Sequence, residues 1–144
     1  MGHTSATKEL PVSPDKAWEV LSDTSTWENW LTIHGGWLSE PPAQLAPGTK
    51  LVQKVVMLGM ANKIEWTVES IEEGKQATIS GVGMAGVTCQ FVFALEAAGS
   101  GSLVSIDADF SGSLVVGALG KAVEKDANKN LVTSLDKLAT FAAA

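Results

Sequence analysis

The sequence predicts an α+β fold in which one long C-terminal helix packs against an antiparallel sheet. Three observations carry that expectation. First, one apolar stripe at helical spacing spans Val115 to Phe141, with Val116, Leu119, Val123, Ala127, Leu131, Ser134, Leu135, Leu138 and Ala142 on the same face. Lys121, Glu124, Lys125, Asn128, Lys129, Asp136 and Lys137 fall mainly on the other face. At 1.5 Å per residue such a helix is roughly 40 Å long, about the span of a domain. Second, most of the chain before residue 112 alternates apolar and polar residues with period two, as half-buried strands do. Third, two short helical segments rich in tryptophan follow the first strand. A helix laid on an antiparallel sheet makes a layered domain with room between the layers.

The elements follow in order. Residues 3–10 alternate small and polar groups and end at Leu10-Pro11, a first strand. Ser13-Pro14-Asp15 starts a helix, with Ser13 as cap and Pro14 in the first turn. Ala17, Trp18, Val20 and Leu21 form its buried side. Asp23 or Ser25 caps a second short helix with Trp27 and Trp30 at i, i+3, and Gly35-Gly36 is expected to end it. Trp37-Leu38 begins a short strand, and Pro41, Pro42, Pro47 and Gly48 mark loop and turn. Strands then run over Leu51 to Met57, Asn62 to Ile71, Gln76 to Gly83, Gly86 to Leu95 and Leu103 to Ser111. Their connections are short, so the sheet should meander with antiparallel neighbours.

Composition bounds the function. A chain of 144 residues with 45% hydrophobic content reads as one domain, residues 1–144, with an ample core. The net charge is −6 and all ten basic residues are lysine. Without arginine, a net-acidic chain is a poor match for nucleic acid, so no nucleic-acid partner is expected. No apolar run is long enough to span a bilayer, and no signal-peptide pattern opens the chain, so stable membrane insertion is not expected and a cytoplasmic location is. The single cysteine, Cys89, fits a reducing compartment. There is no tyrosine, and only His3 and His34 supply imidazoles. No His/Cys/Asp/Glu cluster has zinc spacing, and Gly81-x-Gly83-x-x-Gly86 lies across a strand end rather than before a helix. No metal or other cofactor is expected.

The element order, with Pro14-x-x-Ala17-Trp18-x-x-x-x-Asp23-x-x-x-Trp27-x-x-Trp30, resembles the START-like (SRPBCC, Bet v 1-like) superfamily. Within it the chain is similar to the bacterial polyketide cyclase/dehydrase-like group. Trp30-Leu31-Thr32-Ile33-His34 and Gly59-Met60-Ala61-Asn62-Lys63-Ile64-Glu65-Trp66-Thr67 resemble small actinobacterial members, one of them described as the toxin of a toxin–antitoxin pair. The resemblance implies a helix-grip fold, with a curved seven-stranded antiparallel sheet wrapping the C-terminal helix around an apolar cavity. It implies binding of lipids, sterols or polyketide-like molecules, and in a minority of members cyclisation or dehydration. Cyclase members place polar or charged groups inside the cavity, and no matching motif stands in this chain.

Strand parity puts Met57, Ile64, Trp66, Phe91, Phe93 and Phe110 on the cavity face, with Leu119, Val123 and Ala127 from the helix. Asn62 shares the parity of Ile64 and Trp66, and either anchors a polar group of a ligand or satisfies the turn at 59–61. His34, after the second short helix, is the one candidate acid–base group near the mouth; the alternative is a surface imidazole bonded to backbone. Trp30 either lines the entrance or locks its helix to the sheet. Asp107 and Asp109 oppose Ile106, Ala108 and Phe110 and should face water. Lys121, Lys125 and Lys129 form a basic stripe expected to be a solvated helix face. These residues predict a binder of an apolar small molecule. A cyclase or dehydratase using His34 is the second reading. The third is a toxin-like protein with an antitoxin partner, acting through a surface, and a homodimer partner also fits.

Overall fold

Alternation of apolar residues builds the long strands of a seven-stranded sheet, and the tryptophan segments fold back across them. The computed structural model describes residues 2–41, 45–83, 86–112 and 117–143. Strand β1 spans Gly2–Leu10, followed by helix α1 (Pro14–Leu21), a single 3₁₀ turn (Thr24–Thr26) and helix α2 (Trp27–Trp30). Then come β2 (His34–Trp37), β3 (Lys50–Met57), β4 (Met60–Glu72), β5 (Gln76–Val82), β6 (Thr88–Ala98), β7 (Gly101–Ser111) and helix α3 (Gly117–Ala143). The strands form one antiparallel sheet in the order β1-β7-β6-β5-β4-β3-β2, curved into a half-barrel around α3. The connection from β1 to β2 therefore crosses from one edge of the sheet to the other. Helices α1 and α2 make that crossing.

Local chemistry explains the boundaries. Ser13 Oγ accepts the Lys16 N–H at 3.3 Å and Pro14 opens α1, as the sequence pattern predicts. Asp23 caps the 3₁₀ turn by accepting the Ser25 N–H at 3.0 Å. Trp27 and Trp30 are buried, and their indole N–H groups donate to Leu21 O (3.0 Å) and Thr26 Oγ1 (3.2 Å). Those bonds remove the penalty of burying the polar end of each ring. A register shift between Val68 and Ser70 marks a bulge where β4 meets β5. Bulges of this kind bend a strand and raise its twist, which helps the sheet curl.

Two expectations are corrected. Gly35-Gly36 does not end the second short helix: that helix stops at Trp30, and both glycines lie inside β2, where Gly36 pairs with Lys54 of β3 and Gly35 falls at the register shift between His34 and Gly36. A Cβ on Gly35 would lie 2.9 Å from Val56 Cγ2, so close strand approach, not helix termination, is what the glycine serves. Trp18 is only half-buried, because α1 buries the narrower arc of Ala17, Val20 and Leu21. Val115, Val116 and Pro42, named from the sequence pattern, lie outside the described residues.

The core fills one half of the space between sheet and helix. Leu131, Leu135 and Leu138 of α3 are buried against the sheet, each contributing about 1.5–3 kcal/mol of apolar burial. Trp27 packs on Phe93 of β6 at a ring-centroid distance of 5.8 Å and on Trp37 at 5.5 Å. The other half, toward the N-terminal turns of α3, is not filled. Asp107 and Asp109 face outward as their parity predicts, and His3 Nδ1 lies 2.7 Å from Asp109 Oδ1. Lys121, Lys125 and Lys129 are exposed.

Candidate functional site: an apolar cavity between sheet and helix

The unfilled half is a cavity of about 430 Å³, within the ~300–1,000 Å³ typical of small-molecule sites. Its walls come from alternate residues of the inner sheet face: Val55 and Met57 of β3, Asn62, Ile64 and Trp66 of β4, Cys89 and Phe91 of β6, and Phe110 of β7. Ile33 closes one side, Gly83 and Val87 another, and Leu119 and Val123 of α3 form the lip. Trp66 meets Phe91 edge-on at 5.3 Å, and Phe91 meets Phe110 at 6.2 Å.

Of the residues singled out from sequence, Met57, Asn62, Ile64, Trp66, Phe91, Phe110, Leu119 and Val123 come together on this cavity. Four others sit elsewhere. Trp30 and Ala127 are buried in the packed half, and Phe93 belongs to the cluster around Trp27. His34 stands at the start of β2, beside Trp37 at 4.9 Å, and does not reach the cavity surface. Asn62 lines the cavity, and its Nδ2 donates to Met60 O at 3.3 Å, the turn role expected of it.

The polar chemistry around the site is self-contained. Trp66 Nε1–H donates to Gln53 Oε1 at 2.8 Å, and Gln53 is fully buried. Since an indole can only donate, the other end of the Gln53 amide is the NH₂. That NH₂ lies 2.6 Å from His34 Nδ1, which must therefore accept, placing the imidazole proton on Nε2. Burial holds His34 below its ordinary pKa, partly opposed by Glu28, which agrees with a neutral ring. Burial pushes the Cys89 thiol up to about 12, so it is a wall group rather than a nucleophile. Among the described residues, no buried side-chain polar atom lacks a hydrogen-bond partner.

The mouth is held by a second polar chain that the sequence reading did not single out. Leu58, with φ +53°, and Gly59, with φ +73°, turn the β3–β4 hairpin. Two consecutive left-handed residues are what a tight hairpin requires, and a leucine there is costly. The Leu58 N–H donates to Asp126 Oδ2 on α3 at 3.0 Å. One turn on, Asn130 Nδ2 reaches Asp126 Oδ2 at 3.2 Å, and Asn130 Oδ1 accepts from Thr32 Oγ1 at 2.6 Å. A further turn on, Ser134 Oγ accepts the Thr32 N–H at 2.9 Å. The i, i+4, i+8 spacing of Asp126, Asn130 and Ser134 was the available signal for this ladder. It ties the hairpin tip and the Thr32–Ile33 segment to the helix. Around it the rim stays apolar: Leu58 is 38%, Leu119 45% and Met60 57% exposed.

A curved sheet gripping a helix over an apolar cavity defines a protein of the START-like, helix-grip class. Residues 1–142 match the family described as polyketide cyclase / dehydrase and lipid transport, and the chain belongs to that family. It is 31% identical over 140 residues, 97% of each chain, to a Mycobacterium tuberculosis protein named Toxin Rv0910. It is 27% identical over 139 residues to an uncharacterized protein of the same species, covering 96% of this chain and 97% of that one. Among solved structures, a START superfamily protein from Mycobacterium smegmatis superposes with a TM-score of 0.81 at 20% identity, covering 99% of this chain and 98% of that one. A Thermus thermophilus protein gives 0.81 at 16% identity, covering 98% and 97%. At such identities the two structures speak for the fold alone.

Proposed function

We propose that this protein holds an apolar small molecule in the cavity between its sheet and α3. The observation that supports this reading is the cavity itself: about 430 Å³, walled by aromatic and aliphatic side chains and opening through an apolar rim. Each 100 Å² of apolar ligand surface removed from water contributes about 2.5 kcal/mol before ordering costs. Asn62 is the polar group placed to orient a ligand oxygen. Among the described residues that line the cavity, Cys89 is the sole titratable one, and its thiol stays protonated at neutral pH. That lining favours holding a molecule over acid–base chemistry on it, the cyclase or dehydratase reading.

The molecule's biological role is a separate question, and there the relatives weigh most. Full-length kinship to a protein named as a toxin favours a toxin-type component acting with an antitoxin partner. The two readings are compatible, one describing the molecular act and the other its use.

Native mass spectrometry of the purified protein, with titration of the apolar dye ANS, tests the first reading. A co-purified apolar mass, or saturable dye binding that fatty acids displace, supports it. An empty protein that binds no dye at tens of micromolar overturns it. Induced expression in a mycobacterial host, with and without the product of the adjacent gene, tests the second. Growth arrest relieved by that product supports it, and unaffected growth argues against it.

A further inference from the structure

One residue behind the cavity wall does not appear on its surface. Gly81 of β5 is directly opposite Trp66 of β4 and is buried. A Cβ on Gly81 would stand 2.7 Å from Trp66 Cε3, 2.9 Å from Trp66 Cζ3 and 2.7 Å from Ile64 Cγ2. One on Gly83 would stand 2.8 Å from Ile64 Cδ1. The six-membered ring of Trp66 therefore rests against Gly81 of β5, in the space that a side chain at 81 would occupy. Gly83 still shows at the cavity surface, whereas Gly81 is hidden beneath the ring. The far side of the indole is fixed as well. Its Nε1–H is held by Gln53 Oε1 at 2.8 Å, and Gln53 is held in turn by His34.

We propose that Gly81 is the specificity-determining residue of this cavity: by lacking a side chain it lets Trp66 rest against β5, and the space above the ring sets how bulky a ligand can be. This rests on the reading of the cavity as a ligand site. A side chain at 81 must lift the six-membered edge of the indole, because Gln53 anchors the five-membered edge. Reaching ordinary contact at 3.4 Å requires a rise of roughly 0.7 Å for alanine. Valine adds two methyls and demands more. The lifted edge moves into the cavity between Phe91 and Ile64, so the loss falls on bulky, ring-shaped ligands before slender chains. Gly81 has no positive φ, so the backbone itself accepts a substitution. The restriction is the Trp66 ring together with Ile64 Cγ2, which stands equally close at 2.7 Å.

The test is a series: Gly81→Ala, Gly81→Val, and Gly81→Val combined with Trp66→Leu. ANS serves as the bulky probe and decanoate as the slender one. The expected result is ANS affinity weakened at least tenfold in Gly81→Val and less in Gly81→Ala, with decanoate changed under threefold. Trp66→Leu should recover part of the ANS binding in the double variant, since the Ile64 contact remains. A folded Gly81→Val that binds ANS like the parent overturns the proposal, and so does a folded double variant that shows no recovery. Should Gly81→Val fail to fold, folding of the double variant still supports the proposal, and failure of both overturns it. A crystal structure of Gly81→Ala gives a readout that needs no ligand: a raised Trp66 supports the proposal and an unmoved ring sinks it. If the parent binds neither probe, the ligand reading fails by itself, and that structure still decides whether Gly81 sets the position of Trp66.

Discussion

Ser134→Ala removes one hydroxyl from the buried face of α3. Ser134 is fully enclosed, and its Oγ accepts the Thr32 N–H at 2.9 Å and meets Thr32 Oγ1 at 3.0 Å. The substitution hardly changes side-chain volume, so no cavity term enters. The Thr32 hydroxyl keeps Asn130 Oδ1 at 2.6 Å, so the loss falls on the backbone N–H. Leaving this part-buried donor without its acceptor costs ~1–2 kcal/mol, the lower part of the range for an unmade bond. Alanine returns about 0.5 kcal/mol as the better helix former. The expected net loss is thus ~0.5–1.5 kcal/mol, read from urea unfolding by linear extrapolation. In a thermal melt this corresponds to a fall of roughly 1–6 °C. Because Ile33 follows Thr32 into the cavity wall, amide exchange at Thr32 and Ile33 should quicken together. A loss below ~0.3 kcal/mol, well under the cost of an unmade buried bond, with Thr32 still protected, would refute the claim that this serine anchors the wall.

Two further outcomes follow from the same geometry. Asp126→Ala deprives the Leu58 N–H of its acceptor, so Leu58 amide exchange should rise and dye uptake should speed up, while stability changes by about 1 kcal/mol or less because the site is near the surface; unchanged uptake would mean the hairpin tip does not gate the mouth. The pH dependence is set in part by His34, whose folded pKa lies below its unfolded value near 6.5. The unfolded chain therefore binds the proton first, so the His34 contribution is full above about pH 6.5 and shrinks as pH falls from there toward the folded pKa. An NMR titration showing His34 at or above 6.5 would reverse that sign.

Much of this architecture was legible because strands and helices bury residues at fixed periods. Ile64, Trp66 and Val68 point inward and Lys63, Glu65 and Glu69 outward, as alternation alone requires. The apolar stripe of α3 held from Ala127 to Ala142 for the same reason. Period failed where it carries no depth. Leu119 and Val123 continue the stripe, yet one is exposed and the other half-buried, because the sheet curves away beneath them and leaves the cavity. The short strand expected to begin at Trp37 instead ends there, running His34–Trp37; its start was missed because two glycines offer neither alternation nor β-branching.

The sequence by itself determined the layered class, the inward face of each long strand, the outward aspartates and the aromatic character of the cavity wall. All of these follow from local periodicity and residue type. Tertiary structure alone decided which inward residues share the cavity and which fill the core. It also placed Gln53 between Trp66 and His34, set Leu58 against Asp126, and laid Trp66 over Gly81. Each of those pairings depends on how far the sheet curls and where the helix crosses it. Both are global properties of packing, which no short stretch of sequence encodes.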